Sequence, residues 1–119
     1  MMHITAEDAS AFHKATGCSI AKAVEMLEQM EPLRRERILL ASRLPKRSLT
    51  LRDPIESDPE LSGIIRNAAE EASKIVSAQG TLKRGSCHSI WREQARILLE
   101  RHQVVWFSPS EMNPGVLFD

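Results

Sequence analysis

Histidine and cysteine side chains are the groups in this chain that could bind a metal ion or act as nucleophile and base. There are six of them in all: His3, His13, Cys18, Cys87, His88 and His102. No two have the spacing of the ligands in a zinc site, and the neighbours Cys87 and His88 point about 100° apart on a helix. The sequence therefore predicts no metal ion and no cofactor.

Cys87 is the candidate nucleophile, because it lies near the start of a predicted helix, where thiols are often activated. A catalytic thiol also needs a base within hydrogen-bonding reach. His88 is poorly directed for that role, and His13 or His102 would have to be delivered by the fold. The sequence has no Gly-rich phosphate loop, and paired carboxylates are expected only on solvated faces. We therefore expect a protein that is not an enzyme, with a cysteine enzyme as an alternative.

A basic segment offers a different kind of chemistry. Residues 32–52 carry seven basic side chains and one acidic, whereas residues 53–79 carry two basic and six acidic, although the net charge of the chain is zero. Phosphate contacts from such a segment dominate non-specific binding of nucleic acids. The candidate residues are Arg34, Arg35, Arg37, Arg43, Lys46 and Arg47. No aromatic side chain lies among them to stack on bases, so nucleic-acid binding ranks below a solvated face that pairs with the acidic block.

Length and composition favour one small all-α protein of about five helices. The 119 residues are 42% hydrophobic and only 4% aromatic, so aliphatic side chains must fill the core. Abundant Ala, Leu, Glu, Arg and Lys favour helices. No apolar run approaches the ~20 residues of a membrane span, and the first residues lack the pattern of a signal peptide. We therefore expect a cytoplasmic protein that does not bind membranes.

Residues 1–44 predict a bundle of three short helices. Thr5 and Asp8 form a capping box at the start of the first helix, Ser19 caps the second, and Pro32 begins the third. The side chains that we expect the third helix to bury are Leu33, Leu40, Ala41 and Leu44. Those that we expect to face solvent are Arg34, Arg35 and Arg37.

The turn between the first two helices carries a resemblance to a known family. Three short helices with Ala15-Thr16-Gly17 at the first turn, and Leu27 ten residues after the glycine, resemble the ubiquitin-associated (UBA) class of three-helix modules. The version at the N-terminus of bacterial elongation factor Ts is the most similar. A basic third helix and the lack of an aromatic residue beside Gly17 distinguish the chain from ubiquitin-binding members. The resemblance implies a small protein-binding surface around Thr16 and Gly17, and no catalysis.

Residues 45–58 interrupt the helical periodicity, so we predict a linker there, with a short strand at 49–51. Asp58 then caps a helix over 59–79, and a further helix over 86–102 pairs with it as an antiparallel hairpin. Both helices have long apolar faces that a bundle beyond a linker would leave exposed. We therefore expect a two-fold homodimer that buries the hairpins against each other. The alternative is a monomer in which the linker folds the bundle back onto the hairpin, so that both pack as one domain.

The last residues, 103–119, are dense in local signals, and we term them the hook. Residues 104–107 favour an extended chain, residues 108–111 form a capping box with proline at the first helical position, and Pro114-Gly115 suits a type II turn. We expect the hook to be ordered and its large apolar side chains to be buried. These are Trp106, Phe107, Leu117 and Phe118.

The hook either packs onto the helices or binds a partner. Its pattern, Trp106-x-Ser108-Pro109-x-Glu111-Met112-Asn113-Pro114, resembles the ending of small uncharacterised bacterial proteins and implies no activity. The residues that the partner-binding alternative uses are Thr16, Gly17, Trp106, Phe107, Glu111 and Met112. We therefore predict a small bacterial adaptor or regulator that binds another protein, with a nucleic-acid-binding regulator as the alternative.

Overall fold

The computed structural model of the chain describes residues 4–45, 50–80 and 85–118. These residues form helices and no strand, which confirms the all-α class. The elements in chain order are α1 (Ala6–Thr16), α2 (Ile20–Gln29), α3 (Pro32–Arg43), a 3-10 turn (Pro54–Ser57), α4 (Ser62–Ala78), α5 (Ser86–His102) and α6 (Pro109–Met112). The predicted strand at 49–51 is wrong for residues 50 and 51, and Leu49 lies outside the described residues.

The first two helices begin where their capping residues predict. The hydroxyl of Thr5 accepts from the amide of Asp8 at 3.0 Å, and the Asp8 carboxylate accepts from the amide of Thr5 at 3.3 Å. Ser19 Oγ accepts from the amide of Lys22 at 3.1 Å. These bonds satisfy amides that have no partner within the helix. α1 then packs against both α2 and α3 and buries Phe12.

The face that α3 buries differs from the predicted one. Its buried side chains are Arg35, Ile38, Leu39 and Ala41. The leucines that we expected in the core, by contrast, are between 38% and 49% exposed: Leu33, Leu40 and Leu44. Because each residue advances the helix by about 100°, turning the arginine inward carries these leucines to the outer face.

Arg35 is buried because it closes the end of α2, so the prediction that it faces solvent is wrong. Its Nε donates to the carbonyl of Leu27 at 2.7 Å, and its Nη2 donates to the carbonyls of Glu28 and Met30, each at 3.2 Å. The last carbonyls of a helix have no partner within it, and a cation is favoured beside them. The guanidinium of Arg35, a residue of α3, therefore caps the C-terminal end of α2.

Residues 50–57, which lie within the predicted linker, include two buried residues. Leu51 is 4% exposed and Asp53 is 1% exposed. The Asp53 carboxylate begins the 3-10 turn by accepting from the amide of Ile55 at 3.2 Å. Leu51 and Asp53 therefore anchor this connection between the bundle and the hairpin, while Arg52 and Ser57 are exposed.

α4 and α5 form the predicted hairpin. α4 begins three residues later than predicted, at Ser62, because the residues after Asp58 first form a turn. In that turn Asp58 Oδ1 accepts from the amide of Glu60 at 2.8 Å, and its carbonyl accepts from the amide of Ser62 at 2.8 Å. Ile65 and Ala72, on the apolar face of α4, are buried within the chain.

Two clusters of buried side chains result. The bundle core consists of Ala9, Phe12, Ala23, Leu27, Met30, Ile38, Leu39, Ala41, Leu51, Phe107 and Met112. The hairpin core consists of Ile65, Ala68, Ala72, Ile97, Leu98 and Trp106. The neighbours Trp106 and Phe107 thus belong to different cores, because successive side chains of an extended segment point to opposite sides.

The hook is ordered and largely buried, as predicted, but its tip is not. Ser108 Oγ accepts from the amide of Glu111 at 3.2 Å, and the Glu111 carboxylate accepts from the amide of Ser108 at 3.1 Å. Phe118 packs edge-on against Trp91 with ring centres 5.3 Å apart. Leu117 is 96% exposed, so its predicted burial is wrong.

Asp53 holds the two cores together through the hook. Its carboxylate, which is fully buried, accepts from Arg37 Nη1 at 2.7 Å and from the amide of Phe107 at 3.0 Å. Arg37 also donates to the carbonyl of Val105 at 3.1 Å. A buried carboxylate needs such a cation and such donors to be stable. The junction therefore fixes where the hook crosses between the bundle and the hairpin.

Candidate protein-binding surface

The turn between α1 and α2 is rigid because side chains near it satisfy its backbone. Gly17 has φ 79°, a left-handed conformation that favours glycine, and its amide donates to the carbonyl of His13 at 2.8 Å. The Thr16 hydroxyl donates to the carbonyl of Phe12 at 2.7 Å and lies 3.4 Å from the amide of Cys18. Nδ1 of His13 contacts the carbonyl of Cys18. The surface of this turn is therefore preformed.

The end of the hook is fixed by Asn113, which is 5% exposed. Its Oδ1 accepts from the amide of Leu51 at 2.7 Å, and its Nδ2 donates to the carbonyls of Leu51 and Pro109 at 2.8 and 2.7 Å. The amide of Val116 then donates to the carbonyl of Asn113 at 3.1 Å. Gly115, at φ 91°, supplies the left-handed residue that the turn requires. The turn predicted from Pro-Gly is thus present.

These two turns meet and enclose a groove of about 290 Å³, which we term the turn–hook groove. Its lining residues are Phe12, Ala15, Thr16, Gly17, Cys18, Met26, Asn113, Pro114, Gly115 and Val116. The approach is close, since a Cβ placed on Gly115 would lie 3.7 Å from Cε of Met26. The groove therefore joins the second turn of the hook to the turn between α1 and α2.

The groove is suited to apolar contact. Most of its lining side chains are apolar, and Val116, at its rim, is 47% exposed. Leu117 follows directly with its side chain almost entirely in solvent. A fixed apolar edge beside an apolar groove is typical of a protein-binding surface.

The structure brings together only part of the predicted partner-binding set. Thr16 and Gly17 line the groove. Trp106, Phe107 and Met112 are buried in the two cores and present no side-chain surface to a partner. The second wall, residues 113–116, was absent from the predicted set. Its one signal in the sequence is the Pro-Gly turn, which predicts a fixed shape without naming its neighbour.

Glu111 has a positioning role in the hook. Besides its capping box, its carbonyl accepts from Arg34 Nε at 2.8 Å. Glu111 is exposed to solvent but does not line the groove. This bond ties α6 to α3 and so fixes the hook from which Asn113 extends.

The arginines of the basic segment have partners within the chain. Arg34 and Arg35 donate to backbone carbonyls, Arg37 pairs with Asp53, and Arg43 pairs with Asp8. Each of these bonds reduces the freedom of a guanidinium to contact phosphate. The remaining two candidates, Lys46 and Arg47, lie outside the described residues.

The histidine side chains of the described residues take part in different local contacts, and Cys87 lies half-buried in the first turn of α5. His88 Nε2 donates to the carbonyl of Phe118 at 2.8 Å, which directs this ring at the hook. His102 lies exposed in the last turn of α5. Within residues 4–45, 50–80 and 85–118, no three His, Cys, Asp or Glu side chains come together as metal ligands. His3 lies outside these ranges.

Comparison with protein-family models, with curated proteins and with solved structures finds no match to this chain. Among the helices of the described residues, none has both the length and the apolar character needed to cross a membrane. Function is therefore inferred from the geometry of the two turns and of the exposed side chains beside them.

Proposed function

We propose that the chain is a non-enzymatic adaptor or regulator of bacterial origin that binds another protein at the turn–hook groove. The observation that carries the proposal is the exposed apolar edge, Val116 and Leu117, held beside a preformed apolar groove. A contiguous exposed apolar surface on a small protein marks an interaction site more often than a scattered single residue does. The cytoplasmic location expected from the sequence belongs to the same proposal.

The buried part of the hook supports this role indirectly. Asn113 is held by both polar groups of Leu51, and Phe118 is held by Trp91 and His88. The edge between them is therefore anchored on both sides. A partner that docks there meets a surface that needs little ordering, which lowers the entropic cost of association.

Nucleic-acid binding remains the alternative, and it is less favoured. The arginines at 34, 35, 37 and 43 each donate to a carbonyl or carboxylate of the chain itself. A phosphate would have to compete with partners already in place. Under this proposal, generic duplex DNA binds weakly at physiological salt.

Affinity capture from a bacterial lysate with paired variants tests the proposal. Leu117→Asp places a charge on the proposed edge, whereas Leu99→Asp places the same charge on an exposed leucine of α5. We expect a protein that is retained by the parent chain and by Leu99→Asp, and lost with Leu117→Asp, while the thermal melts of all three agree. Equal retention by both variants would contradict binding at the groove.

A further inference from the structure

Within the described ranges, the outer face of α3 is a second exposed apolar surface. Leu33, Arg37, Leu40 and Leu44 follow one another at spacings of four, three and four residues, which places them within an arc of about 60°. We propose that this set, the α3 leucine face, is a self-association surface on which a second copy of the chain packs with its own α3 antiparallel.

The charge in the middle of this face is already neutralised. Arg37 is held by the buried Asp53 carboxylate at 2.7 Å, and its guanidinium lies 5.6 Å from the ring centre of Phe107. It also donates to the carbonyl of Val105, a residue that is 41% exposed. The cation therefore does not repel the same face of another copy, and its stem adds apolar surface.

The charges along one edge of α3 identify a second copy as the occupant. Glu36 and Arg43 lie on the same side of the leucines, because both precede Leu40 around the helix by about 40–60°. A two-fold axis in the plane of the face keeps each edge on its own side and reverses the helix direction. Glu36 of each copy then faces Arg43 of the other, so one contact pattern satisfies both ends.

The leucine spacing fits the same arrangement. With the axis between residues 39 and 40, Leu40 lies beside Leu40 of the second copy. Leu44 then lies between Leu33 and Arg37 of that copy. Glu36 is exposed, and its side chain makes no hydrogen bond or ion pair within the described residues. Arg43 has room for a second carboxylate beside Asp8, since its side chain is 47% exposed. Closed two-fold pairs are the commonest oligomers.

This surface replaces the one expected from the sequence. The hairpin stripe that was to pair in a dimer is covered inside the chain, where Ile65 is 5% exposed and Ala72 is fully buried. On α4 and α5, as far as they are described, Leu99 is the one large hydrophobic side chain that is exposed. α3 instead presents three such side chains on one face.

Sedimentation equilibrium at tens of micromolar tests the inference. We expect a species of twice the chain mass of 13.4 kDa. Leu40→Asp should raise the dissociation constant at least about tenfold, whereas Leu99→Asp, at a leucine of similar exposure on the hairpin, should leave it unchanged. A parent chain that sediments as a monomer, or two variants that behave alike, would overturn the inference.

Charge reversal tests the antiparallel arrangement in particular. Glu36→Arg alone should weaken self-association about tenfold, because it places two cations opposite each other. The double variant Glu36→Arg/Arg43→Glu should recover most of the loss, and the thermal melts check that each variant is folded. A double variant that associates no better than Glu36→Arg would overturn the antiparallel pairing. Leu117→Asp should not change the dissociation constant, which separates this surface from the turn–hook groove.

Discussion

The bundle core draws on three helices and on two segments far along the chain, whereas the hairpin core draws mainly on two neighbouring helices. Leu51, Phe107 and Met112 complete the bundle core from outside its helices. In the hairpin core, Trp106 is the fully buried contribution from outside α4 and α5. The bundle therefore depends more heavily than the hairpin on contacts between distant residues.

The two regions also differ in how buried polar groups are satisfied. Next to the bundle core, Arg35, Asp53 and Asn113 are buried and make several hydrogen bonds each. In the hairpin, Gln94 is the buried polar residue and donates to the carbonyl of Ile65 at 3.2 Å. Leaving such a group unpaired costs more than its hydrogen bond contributes. Substitutions at these polar residues should therefore affect the bundle most.

Removing the hook should have the largest effect on both regions. A chain that ends at His102 loses three large apolar side chains that are buried, Trp106, Phe107 and Met112, each of which contributes roughly 1.5–3 kcal/mol. The total stability of a domain is only about 5–15 kcal/mol. We expect the cooperative thermal transition to disappear. A chain that ends at Val116 is the control and should keep it, and a truncated chain that melts like the full one would contradict a structural role for the hook.

Asp53→Ala should have the next largest effect. It removes the acceptor for the Phe107 amide and leaves Arg37 without its carboxylate, at a cost of roughly 3 kcal/mol or more. Urea unfolding measures the loss. Glu60→Ala, an exposed carboxylate in the turn before α4, is the control and should change the free energy of unfolding by less than about 0.5 kcal/mol. If Asp53→Ala lowered the free energy of unfolding as little as Glu60→Ala does, the junction would not hold the two cores together.

Arg35→Met should destabilise the bundle by about 1–3 kcal/mol, because carbonyls at the end of α2 lose their donors. Arg66→Met is the control, because it makes the same substitution at an exposed position of α4. The two variants compared by chemical denaturation report the difference between a buried cap and a solvated arginine. Equal free energies of unfolding would show that Arg35 is not needed inside.

Asp8→Asn should have the smallest effect, and only on the acid side. Partial burial acts to raise the pKa of Asp8, but hydrogen bonds from Arg43 and Thr5 and the charge of Arg43 together lower it. A lowered pKa in the fold stabilises the protein above the unfolded value of about 3.9, and this stabilisation is lost as the pH falls through the folded pKa. We expect Asp8→Asn to lower the free energy of unfolding by less than about 1 kcal/mol at neutral pH. We also expect the free energy of unfolding of this variant to fall less steeply with decreasing pH than that of the parent chain.

Glu7→Gln is the matched control for Asp8→Asn, since it makes the same change of charge at an exposed position of the same helix turn. The free energy of unfolding is followed from neutral pH to the acid transition. If both variants keep the acid dependence of the parent chain, the pair of Asp8 with Arg43 contributes nothing to the closure of α1 on α3.

The parts of the fold that the sequence predicted correctly are those set by nearby residues. The capping box of Thr5 and Asp8 and that of Ser108 and Glu111 each lie within four residues, and both are present. The left-handed cap at Gly17 is equally local. The apolar spacing that predicted the hairpin is also a local property. In α4 and α5 a repeat of 3.6 residues places the apolar side chains on one side of each helix.

The parts that failed depend on distant residues. The face that α3 buries was wrong because Arg35 serves the carbonyls of α2, which no pattern within α3 reveals. The burial of Leu51 was missed because its amide pairs with Asn113, 62 positions away. For the same reason the predicted partner-binding set includes Thr16 and Gly17 but none of residues 113–116, which form the other wall of the turn–hook groove.

Trp106 and Phe107 are adjacent but pack in different cores. Hydrogen exchange of the native protein tests this division most directly. Phe107→Ala should increase amide exchange in α1–α3 more than in α4 and α5, because Phe107 packs in the bundle core. Trp106→Ala should do the reverse, because Trp106 packs in the hairpin core. Each substitution should cost about 3–5 kcal/mol. Equal increases across all helices in both variants would contradict the claim and show one undivided core.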